Sequence, residues 1–112
     1  MTGPPDVKIC GVCDPADAKL AVAAGATHVG VIRVPGSRRA RSLEAARRVC
    51  EAAVGARTVG VYVDAPVATI LQEAETLALD VIQLHGAELP GRIEGRAAAG
   101  YEVWKVVKPE RG

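Results

Sequence analysis

The stretch Val7-Lys8-Ile9-Cys10-Gly11-Val12-Cys13-Asp14-Pro15 reads as a short strand running straight into a helix start. Side chains alternate across a strand, so Val7 and Ile9 share one side and Lys8 and Cys10 the other. Asp14 can cap a helix, Pro15 suits its first position and Asp17 complements its positive end. A cysteine at the C-terminal tip of a first parallel strand stands where α/β proteins place their chemistry.

The same strand-then-helix unit repeats along the chain. Strand one is about Val7 to Cys10, and the first helix runs on through Leu20 and Val22 to Gly25, a good stop. Strand two is Thr27 to about Arg33, followed by a basic, turn-rich loop from Val34 to Arg41. Ser42 caps a second helix from Leu43 to about Ala53. Strand three, Thr58 to Val63, is nearly unbroken apolar sequence, as expected of a strand covered on both faces. Asp64-Ala65-Pro66 opens a third helix that runs to about Ala78. Strand four is Asp80 to Leu84 and leads into His85-Gly86. Glu88-Leu89-Pro90 starts a fourth helix weakened by Gly91 and Gly95, and Gly100 closes it. Strand five is Glu102 to Val107. One helix in every gap predicts right-handed crossovers, a parallel sheet and a single domain over residues 1–112.

Composition narrows the function classes. The formal charge of +1 argues against a general nucleic-acid binder, which needs a basic surplus. No apolar run approaches the ~20 residues of a membrane span. Residues 1–6 show neither the basic nor the apolar region of a secretory signal. Three cysteines, Cys10, Cys13 and Cys50, do not suggest a disulfide framework. A cytoplasmic protein is expected. With aromatic residues at 3% and no Phe, the core must be built from Val, Ile, Leu and Ala.

Several polar residues could meet in one cavity. Lys8 and Cys10 share a face of strand one, Gln83 and His85 a face of strand four, and Lys105 lies within strand five. Taken singly, a buried cysteine is commonly a small apolar filler and a histidine at a strand end a hydrogen-bonded loop residue. A mid-strand lysine is harder to dismiss, because burying an ammonium without a partner is costly. Cys10-Gly11-Val12-Cys13 is also a CxxC sequence opening a helix, the arrangement of a thiol redox protein, although Asp14 beside it opposes a thiolate. Cys10, Cys13, His28 and His85 fit no zinc spacing. Ser37-Arg38-Arg39-Ala40-Arg41 could grip a carboxylate or phosphate, or simply be a solvated loop.

Together these stretches resemble the phosphoribosylanthranilate isomerases of tryptophan biosynthesis. Lys8-Ile9-Cys10-Gly11 is similar to the family's first strand, Gly25-Ala26-Thr27-His28-Val29-Gly30 to the start of its second, and Pro35-Gly36-Ser37-Arg38-Arg39 to the loop after it. Val59 to Val63, Asp80 to Gly86 and Trp104-Lys105 match strands three to five. The resemblance implies part of a TIM (β/α)8 barrel: about four βα units plus a fifth strand, the N-terminal half. It implies an Amadori rearrangement without cofactor or metal, acting on the small molecule phosphoribosylanthranilate. In it Cys10 is the general base, and Arg39, His85, Gln83 and Lys8 line the substrate. Arg39 would meet the anthranilate carboxylate. The family's general acid, an aspartate on strand six, and its phosphate loops after strands seven and eight have no counterpart here. Ser37-Arg38-Arg39 replaces the family's Ser-Pro-Arg, and Val31 to Val34 replace its aromatic residues. A half barrel exposes two strand edges, so self-association or a complementary half barrel is expected, with no nucleic acid or membrane as partner. The alternatives to the isomerase reading are a non-catalytic half-barrel module for binding or assembly, the CxxC redox protein, and a flavodoxin-like sheet.

Overall fold

The computed structural model describes residues 6–34, 36, 42–84 and 101–105. Its strands are β1 (Lys8–Ile9), β2 (His28–Ile32), β3 (Arg57–Tyr62), β4 (Val81–Leu84) and β5 (Glu102–Lys105). Between them lie α1 (Pro15–Ala23), α2 (Leu43–Ala52) and α3 (Val67–Leu77). The fourth helix expected over residues 88–100 lies outside the described residues.

All pairings are parallel, and the five-stranded sheet runs in the order β1-β2-β3-β4-β5. This order decides the architecture. A doubly wound flavodoxin-like sheet reverses its strand order part-way, so that helices cover both faces. Here each strand is added beside the last, and right-handed crossovers then leave every helix on the same face. That is the winding of a (β/α) barrel.

The burial pattern agrees. On the helix side, Val29 and Val31 of β2, Tyr62 of β3, and Ile82 and Leu84 of β4 pack with Ala18, Val49, Ile70, Ala74 and Leu77. On the other, inner side Val59 and Val61 of β3 and Val81 of β4 cluster with Ile32 and Trp104. The alternation along each strand assigns Lys8, His28, Gly30, Gln83 and Glu102 to the same inner side.

Local chemistry sets the element ends. Asp14 Oδ1 accepts the Ala16 N–H at 2.8 Å, and Ser42 Oγ accepts that of Ala45 at 3.2 Å, so both expected caps form. β1 is shorter than the expected Val7–Cys10. Val7 O still accepts from the Thr27 and His28 N–H groups at 2.8 and 3.1 Å, but Gly11, at φ 74°, turns the chain out of the ladder just past Cys10. β3 begins one residue early because Arg57 N–H donates to Thr27 O at 2.8 Å. No described helix is long and apolar enough to cross a membrane.

Candidate active site

β1 delivers two polar side chains to the inner side. Lys8 pairs in register with His28, and its ammonium donates to Gln83 Oε1 on β4. The same ammonium lies 5.8 Å from the centre of the Trp104 ring on β5, close enough for a cation–π attraction. Gln83 itself pairs with Trp104 in the ladder and is 6% exposed. Lysine, glutamine and indole, from three different strands, thus form one contiguous inner wall.

Cys10 stands at the C-terminal tip of β1, solvent-exposed. Its Sγ rests against β2 at Gly30. A Cβ on Gly30 would lie 3.4 Å from Cys10 Sγ and 3.3 Å from Lys8 Cε, so thiol and lysine stem flank the same bare backbone. Val12 N–H donates to Gly30 O at 3.1 Å and fixes the turn that follows. Cys13 behaves differently: its thiol turns back to Gly11 O at 3.4 Å. No cysteine is in a disulfide.

Towards the N-terminal ends of the strands the inner side carries a second polar layer. His28, 4% exposed, lies with its ring centre 5.3 Å from that of Trp104. Its Nδ1 is 2.9 Å from Thr27 Oγ1, and its buried Nε2 has no hydrogen-bond partner among the described residues. Glu102 accepts from the Trp104 indole and meets Arg57 at 3.4 Å. The indole hydrogen bond first, then the Arg57 guanidinium, hold its carboxyl below the usual range.

Arg33, just past β2, turns to the helix side. Its Nε and Nη2 donate to Glu73 Oε1 and Oε2 at 2.8 and 3.1 Å, and Tyr62 OH donates to Glu73 Oε1 at 3.1 Å. The Glu73 hydrogen bond raises the Arg33 pKa further, and burial followed by the Glu73 charge raises that of Tyr62.

Of the residues expected at the site, the structure brings Lys8, Cys10 and Gln83 to one surface. Arg39 and His85 lie outside the described residues, as do Arg38 and Arg41. Lys105 pairs in register with Leu84, and its side chain is likewise outside them. Trp104 and His28 join the wall without having been singled out for it. Their signal was their position: each falls on the inner-side parity of its strand.

The sequence pattern of N-(5'-phosphoribosyl)anthranilate (PRA) isomerase matches residues 7–111. The chain belongs to the PRA isomerase family. An N-(5'-phosphoribosyl)anthranilate isomerase of Rhodospirillum centenum is 40% identical over 107 residues, covering 94% of this chain and 50% of that protein. The crystal structure of mutually generated monomers of the dimeric isomerase from Thermotoga maritima matches with a TM-score of 0.86 and 35% identity, over 96% of this chain and 56% of that one. A PRA isomerase in complex with reduced 1-(o-carboxyphenylamino)-1-deoxyribulose 5-phosphate matches with a TM-score of 0.81 and 36% identity, over 91% of this chain and 53% of that one. These isomerases are TIM barrels, and the parallel sheet described above matches part of one. The chain spans about half the length of the curated relatives it matches.

Proposed function

We propose that this chain forms the N-terminal half of a PRA isomerase barrel and supplies the base side of its site. The observation that carries this reading is the placement of Cys10, exposed at the C-terminal tip of β1 beside the wall of Lys8, Gln83 and Trp104. Barrel enzymes place catalytic groups at that end of the strands.

The chemistry asks for two groups. An acid protonates the ribose ring oxygen as the C1′–O bond breaks, leaving an imine between C1′ and the anthranilate nitrogen. A base then removes the C2′ proton, and the electron pair moves toward that nitrogen; the resulting enol settles into the aminoketose. Cys10 is the base. Arg39 meets the anthranilate carboxylate, and His85, Gln83 and Lys8 line the substrate. The acid and the phosphate loops belong to later strands of the barrel, so the working unit is this half joined to a complementary one. The reaction needs no cofactor, and the expected setting is the cytoplasm.

The test is turnover of freshly made phosphoribosylanthranilate, followed by its fluorescence. The chain is mixed with the C-terminal half of the Rhodospirillum centenum isomerase. Turnover that appears on mixing and disappears with Cys10→Ala is expected. A folded, associated mixture without turnover overturns the reading.

A second reading is a non-catalytic assembly module. It draws on β1 and β5 standing at the two ends of the described sheet, with Val7 and Ile9 43% and 42% exposed. Such edges invite pairing. Sedimentation of the chain alone should show association, and a monomer with a high, cooperative melt would speak against both readings.

A further inference from the structure

Glycine inside a strand adds backbone entropy and packs nothing, so it usually marks a bend or a close approach. Gly30 is mid-β2, paired with Val59. Its φ is not positive, unlike those of Gly11 and Gly25, so its backbone would accept any L-residue. What the missing Cβ leaves is room for the two β1 side chains that lie across it. A Cβ on Gly30 would lie 3.3 Å from Lys8 Cε, 3.4 Å from Cys10 Sγ and 3.5 Å from Cys10 Cα.

We propose that Gly30 is the positioning residue of Cys10: its bare backbone seats the thiol, and its carbonyl, accepting the Val12 N–H at 3.1 Å, holds the turn that aims it. The neighbouring groups make the seat exacting. The Lys8 stem cannot simply swing away from an added methyl, because its ammonium is tethered at Gln83 and lies over Trp104. An added methyl only touches Cys10 Sγ at ordinary contact distance, and it is a larger side chain, as in valine, that displaces the thiol at the strand tip. A base displaced by a fraction of an ångström loses its line to the proton it removes. The inference rests on Cys10 as the base of the proposed reaction, but the thiol's seat can be measured without any turnover.

The test is alkylation of the full chain by iodoacetamide, with rates for Cys10, Cys13 and Cys50 resolved by peptide mass spectrometry, in Gly30→Ala and Gly30→Val. Cys10 should react more slowly, by roughly tenfold in the valine variant and less in the alanine one, while Cys13 and the half-buried Cys50 keep their rates. An unchanged or faster Cys10 overturns the proposal. Acceleration of all three cysteines also overturns it, since that reports a loosened fold and a purely structural glycine. In the complemented enzyme Gly30→Val should lower kcat and leave KM in place. A slowed thiol with unchanged kcat would keep the seat and remove Cys10 from the chemistry, which separates this inference from the functional reading beneath it.

Discussion

Lys8 on β1 donates to Gln83 on β4, so one hydrogen bond crosses the inner side of the sheet over the two strands between them. The pair is part-buried, where an ammonium without an acceptor carries a desolvation cost. Gln83→Leu should therefore destabilise the chain by about 2 kcal/mol. In the double variant with Lys8→Met the cost should fall short of the two single costs added together by about 1 kcal/mol. Urea denaturation of the four proteins measures this coupling. Strict additivity would show that the bond contributes nothing to holding the wall together.

On the helix side, Glu73 receives a two-point grip from Arg33 and a hydroxyl from Tyr62. The Arg33 and Glu73 side chains are 12% and 17% exposed, so removing one charge takes a close, charge-matched partner from the other in poor solvent. Glu73→Ala should cost about 3 kcal/mol, and Tyr62→Phe about 1 kcal/mol. By contrast, Glu44→Ala, which breaks the exposed pairs with Arg47 and Arg48 on α2, should cost no more than about 0.5 kcal/mol. Thermal melts of the three variants should fall in that order.

Cys50 contributes a loss of stability at alkaline pH. Burial first, then the carboxylates of Asp80 and Glu51, push its thiol up to about 11. An unfolded cysteine ionises near about 8.5. Above that value the unfolded chain releases the proton and the folded one keeps it, so stability is full below it and falls as pH rises through about 11. The slope approaches about 1.4 kcal/mol per pH unit. Urea midpoints measured from neutral to mildly alkaline pH should decline, and Cys50→Ala should flatten the early part of that decline. Tyr62, also raised, adds its own decline at still higher pH.

What the sequence reveals and what it hides follow a physical division. The order of strands and helices is legible because each element carries its own period, and the caps at Asp14 and Ser42 work through neighbours two or three residues away. Period-two alternation likewise assigns Lys8 and Cys10 to one face and Gln83 to its own inner-facing position. Contacts between distant elements are not legible. Lys8 and Gln83 are 75 residues apart, and Arg33 and Glu73 are 40 apart. Nothing local to Arg33 distinguishes a grip on a ligand from a grip on α3. Gly30 reads as an ordinary weak point in a strand until Cys10 and Lys8 are seen lying across it. Arg39 and His85 rest on the family pattern alone, since they lie outside the described residues.

The end of α3 shows how a local rule can be overridden. Alanine is the best helix former, so Ala78 carries no stop signal, yet it sits in the left-handed region at φ 53° and ψ 49°. Four hydrogen bonds hold it there. Its N–H donates toward Ala74 O and Glu75 O, its carbonyl accepts the Thr58 hydroxyl at 3.1 Å, and the chain must turn at once so that Asp80 Oδ2 can accept the Thr58 N–H at 2.9 Å. A Cβ in that conformation costs about 1 kcal/mol, and glycine removes the cost without touching any of these bonds, which are all to backbone atoms of residue 78 or to its neighbours. Glycine also gains freedom in the unfolded chain, which offsets part of the benefit. Ala78→Gly should still stabilise the chain by about 0.5 kcal/mol, read as a higher melting temperature. A fall instead would mean that the left-handed turn is imposed at no cost by the surrounding contacts, and that the strain assigned to Ala78 is absent.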